Sequence, residues 1–467
     1  MEALEIARWQ FGITTVYHFF FVPITIGLSF LVAGMQTAWF RTKNEKYLQL
    51  TRFFGRLFLI NFAMGLVTGI VQEFQFGMNW SDYSRFVGDI FGAPLAIEGL
   101  LAFFLESTFL GLWIFGWDRL KPGLHLATIW IASTGTLLSA YFILAANSFM
   151  QNPVGYVFNP ETQRAELENF AEVLTNQVVL VTFPHTIAAA FMTAGAFVAG
   201  ISMWHVMRKS NSMETRETFR TSMRLGAVVL LVSGAATIVS GDLQARVMTE
   251  VQPMKMAAAE ALWEDTTNAS FSVFTIGSTD GTEEVWSLRV PGLLSFMSTG
   301  SFDSEVRGIN SLQAEYEQTY GAGDWTPNVP IAYWTFRIMM GLGFAAMAGG
   351  AWMLWATRKG RMPENKLLLW TAIALPFMPL FANSFGWIFT EMARQPWIVF
   401  GLMPTSLGVS PGVGPIYVLG SLIGFTLVYG LLAVVEVKLL LTYIAKGLPD
   451  AAPPEQFEED KPMAFAY

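Results

Sequence analysis

No cysteine occurs in the 467 residues, and only four histidines do. The first absence removes disulfides, thiolate metal sites and c-type haem attachment. The second is nearly as restrictive. A haem–copper oxygen site with its accompanying low-spin haem needs more imidazoles than four. A four-helix bis-histidine cytochrome needs paired histidines on the same helices at half-membrane spacing, and these do not pair that way. Charge is scarce too. Asp, Glu, Lys and Arg make up 14% of the chain against 53% hydrophobic residues, and they gather at the joints between apolar runs. The net charge of −8 therefore describes loops, and no nucleic-acid partner is expected. A cleavable signal peptide is not expected either, because Met1 to Gln10 is polar and the first apolar run is too long for an h-region. No internal repeat supports an inverted-repeat transporter.

What remains is an all-α integral membrane protein. A spanning helix needs about 20 apolar residues, and nine runs qualify: Phe11–Trp39, Phe53–Phe76, Pro94–Gly116, Leu126–Phe149, Val178–His205, Leu225–Leu243, Ile331–Trp355, Leu367–Thr390 and Pro415–Tyr443. Lys and Arg cluster after helices one, three, five and seven, as in Arg41 to Arg56 and Arg358 to Lys366. The positive-inside rule then places the N-terminus outside and the C-terminus in the cytoplasm. Four zones follow. Residues 1–244 hold helices one to six, 245–330 a long extracytoplasmic loop, 331–444 helices seven to nine, and 445–467 a cytoplasmic tail. The loop exceeds what a helix connection needs, which marks it as functional, and it contains an amphipathic helical pattern around Met254 to Glu264. The tail is acidic and Pro-containing, which predicts disorder.

Ionisable groups inside the spans are costly without a partner or a task. His18 lies in YHFFFVP of helix one, as either an axial haem ligand or an interhelical hydrogen-bonding residue. His185 lies in FPHTIAAAFMTAG of helix five, where the small residues let something bulky pack closely. His205, about 30 Å further along that helix, and His125 border inner helix ends and read as interfacial. Met339 in FRIMMG of helix seven is core filler on its own. With a histidine it forms a known low-spin haem pair, and Arg337 beside it could hold a propionate. Glu98 and Glu106, in IEGLLAFFLEST of helix three, are expected to share a face about two turns apart. They read as a proton relay, or as hydrogen-bonding partners of Ser139 or Asn147. Glu391 and Arg394 close helix eight in GWIFTEMARQPW, as a salt bridge flanked by Trp387 and Trp397 or as a ligand site. His18, Glu98, His185, Met339 and Glu391 fall in one layer toward the outer face, and unrelated residues would not produce such a layer. A haem protein with few histidines, assisted by carboxylates and Met, fits. A haem b quinol dehydrogenase and a proton-coupled transporter remain alternatives, separable by colour and by O2 consumption.

RWQFGITTVYHFFFVP, IEGLLAFFLEST, NSFMQNPVG, FPHT, QPMKMAAAE, FRIMMG and GWIFTEMARQPW together resemble subunit I of the cytochrome bd-type quinol oxidases, and the resemblance covers nearly the whole chain. It implies a bacterial cell-membrane enzyme that oxidises quinol outside and reduces O2 to water with protons from the cytoplasm. It implies that His185 and Met339 ligate a low-spin haem b. It also implies that His18 and Glu391 ligate a high-spin haem b and a haem d, in an unassigned order, with Glu98 close to that pair. Lys255 and Glu260 match loop residues tied to quinol oxidation, Arg337 an arginine beside the low-spin haem, and Trp387 a tryptophan between haems. A second large membrane subunit is implied, and often a single-helix one. The insertion of long-loop members before helix seven is missing here, so the chain resembles the short-loop type.

Overall fold

The computed structural model describes residues 2–277 and 284–450. The tail expected to be disordered lies, beyond residue 450, outside these described residues. Among the described residues nine helical stretches are long and apolar enough to cross a membrane, so the helical membrane architecture expected from hydropathy is present.

Proline sets where those stretches bend. The first is two helices, α1 (Ala3–Phe19) and α2 (Val22–Thr42), although the apolar run reads as continuous. Pro23 lacks an N–H to continue the ladder, and a tight turn bridges the gap through Phe20 and Phe21 amides bonded to the Tyr17 and His18 carbonyls. Helix two is α3 (Glu45–Met78). After the short α4 (Ser81–Phe86), the third stretch runs as α5 (Gly88–Ile97), a π-helical turn over Glu98–Phe103, and α6 (Phe104–Phe115). Then come α7 (Pro122–Gln151), the short α8 (Phe170–Leu174), α9 (Gln177–Met207) and α10 (Met213–Val251). The last reaches six residues beyond the expected boundary at Ala245. Asn44, Asn176 and Ser212 cap α3, α9 and α10 by accepting from backbone N–H groups of the first turn, which satisfies otherwise orphaned donors.

The long connection folds as α11 (Pro253–Glu260), a hairpin pairing Phe271–Gly277 with Glu284–Val290, α12 (Leu293–Thr299) and α13 (Ile309–Tyr320). Its side of the bundle is called the loop face below. The chain returns through α14 (Val329–Ala356), then α15 (Lys366–Ala374) and α16 (Phe377–Met392), split at Pro376, and ends in α17 (Pro415–Lys446).

α9 is the hub. A Cβ on Gly195 would stand 2.7 Å from the Gly226 carbonyl of α10, one on Gly27 of α2 2.5 Å from the Ala190 carbonyl, and one on Gly200 2.6 Å from the Ala372 carbonyl of α15. Small residues let backbones approach this closely without a hydrophobic drive between helices. The small residues of α9 from Ala190 to Gly200 therefore receive three helices. His125, near the start of α7, and His205, in the last turn of α9, lie at helix ends and are both buried in the bundle. His125 bridges Gln36 and the Trp113 carbonyl, and His205 stacks on Phe219 at 4.0 Å while bonding the Ile444 carbonyl.

Candidate functional site

His18 occupies the last turn of α1 and His185 the third turn of α9, and the two are held alike. The Thr68 hydroxyl of α3 lies 2.9 Å from His18 Nδ1 and donates its own hydrogen to the Met64 carbonyl. The Ser240 hydroxyl of α10 lies 3.2 Å from His185 Nδ1 and donates to the Ala236 carbonyl. A hydroxyl that gives its hydrogen to its own helix accepts from an imidazole whose proton is on Nδ1, and this geometry suits that tautomer. The Nε2 lone pair is left for a metal, which is the usual way a ligating histidine is oriented. A glycine follows each hydroxyl. A Cβ on Gly69 would come 3.1 Å from the His18 ring and one on Gly241 3.3 Å from the His185 ring. The repeated signature is Val-Thr-Gly in α3 and Val-Ser-Gly in α10. Sequence reasoning missed it, because a lone hydroxyl in an apolar helix reads as bonding back to its own carbonyls.

Met339 presses its sulfur against α16, where a Cβ on Gly386 would lie 2.7 Å from Sδ. α14 and α9 touch where Gly343 faces Met192. Met339 and His185 lie about 6 and 10 Å from that crossing toward the loop face, so they share a depth. Trp387, one residue after Gly386, stacks on Phe19 at 5.2 Å and packs against the cluster of Leu144, Ala145 and Val179, from α7 and α9. It thus stands between the two histidine-bearing helices.

At the loop-face end of α16, Glu391 accepts from Asn147 at 3.0 Å and pairs with Arg394. Arg394 is buried, yet among the described residues its Nε and Nη1 have no partner, nor does Trp387 Nε1. Buried native donors are nearly all satisfied, so this cluster fits an anionic group such as a haem propionate. Among the described residues no three His, Cys, Asp or Glu side chains converge on a metal site. Single ligands suit an iron that brings its own macrocycle.

In the third stretch, Glu98 opens the π-helical turn and accepts from Ser139 of α7 at 2.7 Å. Asn147 serves Glu391 instead. Eight residues of regular α-helix would rotate Glu106 about 80° past Glu98. The wider π turn advances less per residue and restores the common face, so the carboxyls are aligned by a distortion rather than by regular spacing. Glu106 is 8% exposed and packs on Gly135. Glu98 interacts electrostatically with both Glu106 and Glu73 of α3.

α11 is pinned onto the loop-face ends of three helices. The Lys255 ammonium donates to Gln151 Oε1 and to the Thr390 carbonyl, each at 3.1 Å, and Gln252 donates to the Gln151 carbonyl. Burial lowers the Lys255 amine to about 7, with nearby Arg394 adding to the fall and Glu391 opposing it. Arg337 serves the connection with all three of its nitrogens, donating to the Ser272 carbonyl, the Ala259 carbonyl and, at 2.6 Å, Glu260. Burial raises the Glu260 carboxyl, against the pull of Arg337.

The family model described as cytochrome bd terminal oxidase subunit I matches residues 6–448. The chain is 47% identical over 448 residues to the cytochrome bd ubiquinol oxidase subunit 1 of Bacillus subtilis (strain 168), covering 96% of this chain and 94% of that one. It is 36% identical over 514 aligned positions to the cytochrome bd-II ubiquinol oxidase subunit 1 of Escherichia coli (strain K12), covering 97% and 98%. The bd oxidase structure from Geobacillus thermodenitrificans superposes with a TM-score of 0.86 at 25% identity, over 95% of this chain and 99% of the other.

Proposed function

The chain belongs to the cytochrome bd terminal oxidase subunit I family, and from that premise we propose that it is the haem-carrying catalytic subunit of a membrane quinol:O2 oxidoreductase. His185 and Met339 hold a low-spin haem b. His18 and Glu391 hold a high-spin haem b and a haem d, with Glu98 close by. When bound, the haems supply the electron path and an open iron position for reducing O2 to water. The chain's own residues do the rest. Thr68 and Ser240 fix the histidine tautomers. Arg394 and Trp387 direct their free donors at propionates. Glu260 takes a proton from quinol, and Lys255 holds α11 over the Glu391 end of α16. Glu106 and Glu98 carry protons toward the oxygen site. The loop face is the outside of a bacterial cell membrane and the C-terminus lies in the cytoplasm. A second large membrane subunit, and a single-helix one, complete the enzyme.

The paired histidine–hydroxyl–glycine arrangement carries this reading. His185→Ala or Met339→Leu is expected to remove the low-spin signal from the optical spectrum and leave much of the high-spin signal. A normal low-spin band in His185→Ala would refute the ligand assignment. Thr68→Val and Ser240→Ala remove only the orienting acceptor, and such losses cost roughly 10–100-fold in metal affinity. Each should therefore lower retention of one haem and spare the other. Haem content after dilution into competing apoprotein measures this, and equal retention in both variants and the parent would dismiss the tautomer argument.

A further inference from the structure

α17 is the most exposed of the nine spans, and its outward positions are the expected aliphatic ones, such as Leu427, Leu431 and Val434. One narrow face is buried, and it is not purely apolar. Tyr429 is 3% exposed, and Glu436, seven residues on and therefore on the same face, is 7% exposed. No hydrogen bond to the Glu436 carboxyl is formed among the described residues. A buried intramembrane carboxyl without a partner is expensive and marks a function by default, and neither the ligand set nor the Glu98–Glu106 pair uses this one.

Its surroundings point to a task. Tyr17 of α1 feels the Glu436 charge and stacks on Tyr429 with ring centroids 4.7 Å apart. The Tyr17 hydroxyl donates to the Tyr429 carbonyl at 3.0 Å, and the Tyr429 hydroxyl to the Thr68 carbonyl at 3.3 Å. Thr68 is the residue that orients His18. α17 and α3 run antiparallel, since Tyr429 meets Thr68 while the Arg52 guanidinium meets the Asp450 carbonyl at the other end. Seven residues along α17 from Tyr429 is thus level with seven residues back along α3 from Thr68, at buried Asn61. Asn61 donates to the Phe21 carbonyl and to Thr25, at the break between α1 and α2. Polar groups therefore recur from the level of Glu436 and Asn61 up to His18, through Tyr17, Tyr429 and Thr68, in an otherwise apolar region. The titratable neighbours are few. α1 offers Tyr17, α3 has no charge between Arg56 and Glu73, and on α17 itself Tyr429 and Tyr443, each seven residues from Glu436, share the face while Lys438 is exposed.

We propose that Glu436 is a proton-carrying carboxyl separate from Glu98 and Glu106, which gains a proton from the α17-end aqueous side when the haem held by His18 is reduced. One electron reaches the iron, one proton converts carboxylate to carboxylic acid, and the added charge is neutralised. The inference rests on the proposed ligand role of His18.

Redox-difference infrared spectroscopy of the purified complex tests it, read alongside the optical spectrum of each sample. Reduction should produce a carboxylic-acid C=O band that is lost in Glu436→Gln and shifted in Glu436→Asp. The midpoint potential of the His18 haem should depend less on pH in Glu436→Gln than in the parent. A Glu436→Gln complex with full haem content, every carboxyl band intact and an unchanged pH slope would overturn the proposal. Should Glu436→Gln fail to assemble, an unshifted spectrum in Glu436→Asp overturns it equally. His18→Ala separates the two levels of argument. If it spares both high-spin haems, the ligand assignment fails; if it removes one while Glu436→Gln changes nothing, only the present proposal fails.

Discussion

Glu106→Gln should keep every haem, keep normal haem reduction by quinol, and slow O2 turnover by about 10²-fold or more, the range lost when a positioned proton donor is removed. Glutamine retains hydrogen bonding and volume and lacks only the proton. The volume matters, because Gly135 leaves room for this side chain and no larger one: a Cβ there would stand 3.1 Å from the Glu106 Cβ. The π turn makes the expectation specific. Since it brings Glu106 onto the face of Glu98, losing the first carboxyl should strand the second without supply. Stopped-flow reduction and steady-state O2 consumption on one preparation separate the two steps. Full turnover with normal proton uptake in Glu106→Gln would leave this residue with a packing role.

The Glu260–Arg337 pair should give two different failures from one position. Glu260→Ala leaves the Arg337 guanidinium, 8% exposed, without its carboxylate. Breaking a buried pair from one side costs about 3–5 kcal/mol, enough to loosen α11 from α14. Quinol oxidation should collapse, and limited proteolysis should newly cut within residues 252–328, while haem content holds. Glu260→Gln preserves the hydrogen bond and removes the proton acceptor. It should resist proteolysis like the parent and still oxidise quinol at least about tenfold more slowly, within the loss expected for a missing general base. Wild-type oxidation in Glu260→Gln would reduce Glu260 to an anchor. Lys255→Ala should fall between the two, because it frees one end of α11 and leaves the Arg337 clamp closed.

Hydropathy located the spans because a lipid-facing helix has one dominant requirement, apolar length, and the chain meets it nine times. The finer geometry was hidden for reasons that differ by residue. Pro23 ends α1 inside an unbroken apolar run, so composition does not change where direction does. The π turn at Glu98 changes hydrogen-bond register and leaves no mark on residue type. His125 and His205 read as interfacial from their neighbours in sequence, whereas their partners, Gln36 and the Ile444 carbonyl, come from distant helices. Arg337 sits two residues from Met339 and reads naturally as part of a metal environment. Only the fold shows that its guanidinium turns toward residues 259–272. Thr68 and Ser240 were legible in principle, as two related tripeptides opposite two histidines, but only once the facing helices were known.

The glycines around α9 bear on electron transfer. Tunnelling rates fall steeply with separation, so a protein that moves electrons between fixed stations must keep those stations from drifting. Side-chain packing alone would let a helix slide by a fraction of a turn. Where main chain rests directly on main chain, at Gly27, Gly195 and Gly200, α9 has no such play. The spacing of whatever His18 and His185 hold would then be set by backbone geometry, and conservative changes in nearby aromatic rings should alter driving force more readily than distance.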